Sequence, residues 1–113
     1  MRIREERPED FGGIRAVNDA AFGGEDESAL IDHLRDDNLM VVSLIAEEYG
    51  EIVAHIAFSE LEVNSDDHKR SIRAVALAPM AVAPTHQRLG IGSELVRQGI
   101  EKCRQNGIEA VIV

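Results

Sequence analysis

Residues 78–96, APMAVAPTHQRLGIGSELV, decide the fold, because they join the end of a strand, a loop with two glycines and the start of a helix. The strand, Ser71–Val82, is almost entirely apolar, which is typical of the middle of a sheet. Pro79 interrupts it, and since proline has no N–H to donate to a neighbouring strand, we expect a bulge there. The helix is predicted over about Leu89–Gln105, where apolar residues recur at helical spacing.

The loop places Gly90 and Gly92 at the predicted start of that helix. Amides at a helix N-terminus have no partner within the helix and lie at the positive end of its dipole, so they bind phosphate. Glycine lets a ligand approach the backbone without meeting a Cβ. A Rossmann fingerprint would need glycine where Leu95 stands, and a P-loop would need Gly-Lys-Ser/Thr. The alternative is an ordinary turn before a helix.

The segments on either side alternate in type. They predict the order β-α-α-β-β-β-α-β, an α/β (α+β) fold in which helices cover a mixed sheet. Its 113 residues are the size of one domain. The predicted elements before residue 71 are a strand in Met1–Glu6, a helix from Pro8 to Phe22, a helix over Glu27–Arg35, and strands over Met40–Glu48 and Glu51–Val63. Asn64–Arg70 is predicted as a polar loop and Ile108–Val113 as the last strand.

Composition excludes several classes of function. The chain has 12 Lys and Arg against 21 Asp and Glu, and a net charge of -9 repels nucleic acid. The longest uncharged apolar run, Ala74–Pro84, is too short to span a membrane. The N-terminus has no apolar stretch typical of a signal peptide, and the one cysteine, Cys103, fits a reducing, cytoplasmic setting.

The stretch QRLGIG at 87–92, preceded by LAPMAVAP at 77–84, resembles motif A of the GNAT acyl-CoA N-acyltransferases. The similarity extends over the 113 residues, including the two helices that follow RPED and the strand containing AHIAFS. It implies an N-acetyltransferase in which an unidentified amine attacks acetyl-CoA directly, without a metal.

The resemblance also implies roles for individual residues. The loop and helix start would wrap the pyrophosphate through Gln87, Arg88, Leu89, Gly90, Ile91, Gly92 and Ser93. The strand residues Met80, Ala81 and Val82 would pair with the pantetheine arm as with an added strand. The Met80 N–H would stabilise the oxyanion that forms at the thioester carbonyl.

Two departures from the family pattern concern catalysis. Some members carry a carboxylate base four residues before the position of Met80, where this chain has Ala76. Members also continue with a helix and two strands that often supply a tyrosine acid, whereas the only tyrosine here is Tyr49. We therefore expect a chain that lacks the C-terminal third, with no assigned base or acid. The alternative function is a non-catalytic acyl-CoA-binding or protein-interaction module, and the uncovered last strand predicts self-association.

The remaining candidates have more ordinary explanations beside the functional ones. His55, in the middle of an apolar strand, is either a base acting through water or a packed histidine. Cys103 lies on the apolar stripe of the last helix and is expected in the core. The histidines have no metal-ligand spacing. The acidic run Gly24–Ser28 is solvated surface or attracts a cationic amine.

Overall fold

Five strands form one sheet in the computed structural model, which describes residues 1–64 and 71–113. The strands are β1 (Arg2–Glu5), β2 (Met40–Glu48), β3 (Glu51–Asn64), β4 (Ser71–Val82) and β5 (Ala110–Ile112). The helices are α1 (Phe11–Phe22), α2 (Asp26–Asp36) and α3 (Ile91–Gln105), with single 3-10 turns at Pro8–Asp10 and Pro84–His86. The predicted order and the mixed α/β class are confirmed.

The sheet has the spatial order β1-β2-β3-β4-β5. Neighbouring strands are antiparallel from β1 to β4, and β5 is parallel to β4 because α3 crosses between them. The β2–β3 hairpin turns through Tyr49 and Gly50, both with positive φ, as a two-residue hairpin turn that matches the twist of the strands requires.

The bulge expected at Pro79 is present in β4. Leu77 pairs with Phe58 and Met80 pairs with Ile56, so β4 has one residue more than β3 in this interval. The extra residue shifts the alternation of side chains, and Leu77 and Met80 consequently lie on the same face of the sheet although they are three positions apart. The Ala78–Pro79 peptide bond within the bulge is cis.

Helices cover both faces of the sheet, so the core has two parts. On one face α3 covers the larger part, which includes Leu44, Ile56, Phe58 and Leu95. On the other face α1 and α2 cover a smaller part, centred on Ile14, Ile31 and Ile45. The strands contribute alternate residues to the two parts, as their apolar composition predicts.

Three elements begin two or more residues away from their predicted start. Helix α3 begins at Ile91, not at Leu89, because Arg88 and Gly90 have left-handed backbone conformations that a helix does not accept. A 3-10 turn precedes α1, and β5 is limited to three residues. The predicted polar loop lies outside the described residues except for Asn64, which ends β3. None of the described helices has the length and apolar character needed to cross a bilayer.

Candidate functional site

Strand β4 has a free edge next to the proline bulge. Its pairing with β5 covers only Ala74, Val75 and Ala76. From Leu77 to Val82, no described strand lies on that side of β4, while β3 pairs with the opposite side. The backbone groups that point away from β3 in this interval therefore have no partner strand among the described residues.

The amides of Met80 and Val82 point to this free edge. The Ala83 amide donates to the Val53 carbonyl at 2.8 Å, so residue 83 faces β3. Backbone groups alternate in direction along a strand, which turns Ala81 toward β3 and Met80 and Val82 away from it. The Gln87 side chain supports this assignment, because its Nε2 donates to the Val82 carbonyl at 3.1 Å from the same side.

The loop that follows β4 ends in an open helix N-terminus. Gly90 has φ 83°, and Arg88 has φ 66°, which is uncommon for a residue with a side chain. Backbone turns of this kind often gather successive amides into an anion-binding concavity. Within residues 1–64 and 71–113, the amides of Ile91, Gly92 and Ser93 have no hydrogen-bond acceptor. A Cβ at Gly90 would meet no atom within 4 Å, so the loop surface here is open.

The free edge and the helix N-terminus are adjacent. A Cβ at Gly92 would lie 3.4 Å from the Met80 Cε and 3.7 Å from a Val82 methyl group. The structure thus brings Met80, Val82 and Gly92 together, as the resemblance implies. The Ala81 side chain is buried and takes the opposite direction from those of its neighbours. Leu89 lies on the surface of the loop.

The charged side chains at the helix start are Arg88 and Glu94. Arg88 is exposed on the loop, where it can add one positive charge to the dipole of the open amides. The pKa of Glu94 is lowered to about 2, chiefly by hydrogen bonds from Arg97 and then Gln98. These partners lie one turn farther along α3, so the Glu94 carboxylate is directed away from the open amides.

His55 does not reach this site. Its side chain is fully buried on the sheet face that α1 covers, where it contacts Asn18 and Ser43. Burial lowers its pKa to about 4, so the ring is neutral at pH 7. The structure therefore favours the packed histidine over the water-mediated base. Sequence reasoning did not identify Asn18 and Ser43 as its partners. A polar residue at a core-facing position of a helix or a strand is, however, a usable signal of a buried hydrogen bond.

Other candidates lie apart from the free edge. The Tyr49 side chain is exposed in the β2–β3 turn, and Ala76 pairs with Ile112. Cys103 is buried in the core beneath α3, as the sequence predicted, and this burial raises the pKa of its thiol. Among the described residues, no group of His, Cys, Asp or Glu side chains has the arrangement of a metal site.

Known protein sequences are similar to nearly the whole of this chain. The model of the Acetyltransferase (GNAT) family matches residues 2–113. The chain is 31% identical to the uncharacterised N-acetyltransferase YhbS of Escherichia coli K12 over 113 residues, and 35% identical to YjhQ of the same strain over 106 residues. It spans 65% of the length of YhbS and 58% of that of YjhQ, and 99% and 92% of the chain itself is matched.

Solved structures share the fold. An acetyltransferase of the GNAT family from Brucella melitensis, in complex with acetyl-CoA, superposes with a TM-score of 0.88 and 35% identity over 97% of this chain and 72% of its own. YhbS from Escherichia coli, in complex with CoA, also gives 0.88, with 30% identity over 97% of this chain and 59% of its own.

Proposed function

The chain belongs to the GNAT acetyltransferase family, and from that premise we propose that it binds acetyl-CoA and transfers the acetyl group to an amine. The observation that carries the proposal is the contact between the free edge of β4 and the open N-terminus of α3. One group of unpaired amides suits an extended amide chain, and the other suits a phosphate. CoA has both parts, in that order along its length.

The open amides at the start of α3 would hold the pyrophosphate. The binding residues are Gln87, Arg88, Leu89, Gly90, Ile91, Gly92 and Ser93, as the resemblance implies. The protein carries a net charge of -9, so overall attraction cannot hold an anion, and local amides and Arg88 must supply it. Gln87 has a supporting role, since its side chain donates to the Val82 carbonyl and folds the loop against the strand end.

The free edge of β4 would hold the pantetheine arm through Met80, Ala81 and Val82. Their strand offers two amides, those of Met80 and Val82, on the side away from β3. The amine would attack the thioester carbonyl carbon, and the Met80 N–H would donate to the oxygen that becomes negative. The carbon–sulfur bond then breaks, the thiolate takes a proton, and the ammonium proton passes to a base. No residue is assigned as base or acid.

A non-catalytic acyl-CoA-binding module is the second candidate, and two observations favour it. Ala76 stands where the resemblance implies a carboxylate in some family members, and the only tyrosine among the described residues lies exposed in the β2–β3 turn. Acetyl-CoA binding and acetyl transfer therefore need separate assays for this chain. A thiol-release assay with acetyl-CoA and a panel of amines, read by mass spectrometry, decides between the two candidates and identifies the acceptor.

Calorimetry with acetyl-CoA tests the binding site. We expect Gly90→Ala to weaken binding at least about tenfold, or about 1.4 kcal/mol. The new side chain strains the loop and projects from the surface where the phosphate would lie. Gly23→Ala is the matched control, because Gly23 also has a positive φ, 72°, and open space around it, but ends α1. Equal acetyl-CoA affinities in the folded variants would contradict the proposed site.

A further inference from the structure

A series of buried and partly buried hydrogen bonds crosses the sheet face that α1 and α2 cover. It joins Glu6, Ser43, His55 and Asn18, and we call these four residues the His55 network. The Ser43 hydroxyl donates to Glu6 Oε1, His55 Nε2 lies 2.9 Å from Ser43 Oγ, and Asn18 Nδ2 lies 3.3 Å from His55 Nδ1. His55 and Asn18 are fully buried.

An ion pair at one end fixes the direction of every hydrogen bond. Arg35 donates to both carboxylate oxygens of Glu6, at 3.1 and 2.8 Å, so Glu6 is an acceptor only. Ser43 must then donate to Glu6, which leaves its lone pair to accept from the His55 Nε2–H. The Nδ1 of His55 carries no proton in this tautomer and accepts from the amide of Asn18.

The same donor and acceptor roles explain an energetically unfavourable feature at the Asn18 end of the network. Asn18 uses its Nδ2 group for His55 and for the Ile14 carbonyl, at 2.9 Å, and its Oδ1 is buried with no hydrogen-bond partner among the residues that the structure describes. An unpaired buried acceptor destabilises a fold, because it has lost its hydrogen bonds to water. If the Asn18 side-chain amide were rotated by 180°, Oδ1 would face His55 Nδ1. It could then form a hydrogen bond only with a ring that is protonated at Nδ1. The Arg35–Glu6 ion pair disfavours that tautomer through Ser43.

The network lies beside the strand edge that would bind the cosubstrate. His55 is the register partner of Ala81, the residue between the two outward-facing amides of Met80 and Val82. Hydrogen bonds from the His55 ring attach β3 to β2 through Ser43 and to α1 through Asn18. They fix β3 at the position where it pairs with Ala81 of β4. Among the described strands, β3 is the only partner of β4 at this position.

We infer that the His55 network is a positioning device for acetyl-CoA binding: it holds β3, and through β3 the Met80–Val82 edge, in the place the pantetheine arm requires. The inference rests on the proposed function. These side chains lie on the α1 face and do not contact the ligand; they act through the backbone pairing of β3 with β4. Among the described residues no hydrogen bond connects the network to the free edge, so we assign it no proton transfer to the reaction.

Ser43→Ala and Ser28→Ala make a matched pair of tests. Each removes one buried hydroxyl on the α1 face, but Ser28 donates to Asp19 and to the Arg15 carbonyl, and so connects α2 to α1 without a hydrogen bond to any of the described strands. In calorimetry of the 113-residue chain with acetyl-CoA, we expect Ser43→Ala to weaken binding at least about threefold and Ser28→Ala to leave it unchanged. Ser43→Thr, which keeps the hydroxyl, should restore the affinity.

A second measurement needs no variant. Nitrogen-15 NMR of the histidine side chains at pH 7 should find His55 neutral with its proton on Nε2. A proton on Nδ1, or a charged ring, would overturn the network as described. Equal acetyl-CoA affinities of Ser43→Ala and Ser28→Ala would overturn its positioning role. Failure of the wild-type chain to bind acetyl-CoA would instead overturn the proposed function, and with it the positioning role, while the NMR result would still decide the direction of the network.

Discussion

The ring of Phe58 on β3 occupies the space in which a side chain at Gly99 of α3 would begin. A Cβ at position 99 would lie 2.6 Å from the Phe58 Cζ, closer than carbon atoms approach in folded proteins. Phe58 is fully buried, so the ring cannot move aside into solvent. This contact sets the distance between α3 and the sheet.

We therefore expect Gly99→Ala to lower the free energy of unfolding by about 1–3 kcal/mol, although alanine is the better helix former. Gly12→Ala is the control, because Gly12 lies in α1 and a Cβ there would meet nothing within 4 Å. That variant should be neutral or more stable by up to about 1 kcal/mol. Urea unfolding measures both, and a Gly99→Ala chain as stable as the Gly12→Ala chain would contradict the packing argument.

The buried ring of His55 makes stability depend on pH. Its pKa is about 4 in the folded chain against an ordinary value of 6.5, so the unfolded chain binds more protons between these values. The stabilisation is fully present above pH 6.5 and is lost as the pH falls toward 4. Urea unfolding should show a loss of about 2 kcal/mol between pH 8 and pH 5.

His55→Gln removes this titration and serves as its control. The pKa of Asp10 also lies below its ordinary value, 3.8, because of its hydrogen bonds from Arg4, but that carboxylate stays ionised over the same pH interval. A folded His55→Gln chain should consequently lose less stability than the wild type between pH 8 and pH 5. The same pH dependence in both chains would show that His55 is not its source.

Arg4 and Asp10 form a nearly buried ion pair that fixes the segment between β1 and α1. The guanidinium donates to both carboxylate oxygens, at 2.7 and 2.9 Å, and also to Glu47 at 3.2 Å. Arg4→Ala leaves the Asp10 carboxylate buried without its partner, and we expect a loss of about 3 kcal/mol.

Arg2→Ala tests the same strand at an exposed position. The Arg2 side chain is 66% exposed and lies 3.8 Å from Glu47, so its removal should change stability by less than about 0.5 kcal/mol. Thermal unfolding compares the two variants. Similar losses would mean that burial does not govern the strength of these pairs.

We predict that the 113-residue chain self-associates through the unpaired edge of β5. Among the described strands only β4 pairs with it, and Ile112 is 50% exposed. A groove of about 270 Å³ beside it is lined by Ile100, Cys103, Ile108 and Val111, among others. Unpaired strand edges with apolar side chains associate with one another.

Sedimentation velocity should therefore find dimers or larger species of the 113-residue chain, and Ile112→Lys should shift them toward monomer. Leu30→Lys is the control, because Leu30 is also partly exposed, at 42%, but lies on α2. A monomeric wild type, or equal effects of the two lysines, would contradict association through β5.

Sequence alone determined the order of the elements, the bulge at Pro79 and the open turn at Gly90. These are local properties: side-chain periodicity, a missing N–H and a residue without a Cβ act within a few positions of the chain. Only the tertiary structure decided which amides of β4 are free, because their direction depends on the register with β3 and on the pairing of β5. It also decided the place of His55, since its partners come from a helix and a strand distant in sequence, and it showed that Phe58 requires a glycine at position 99.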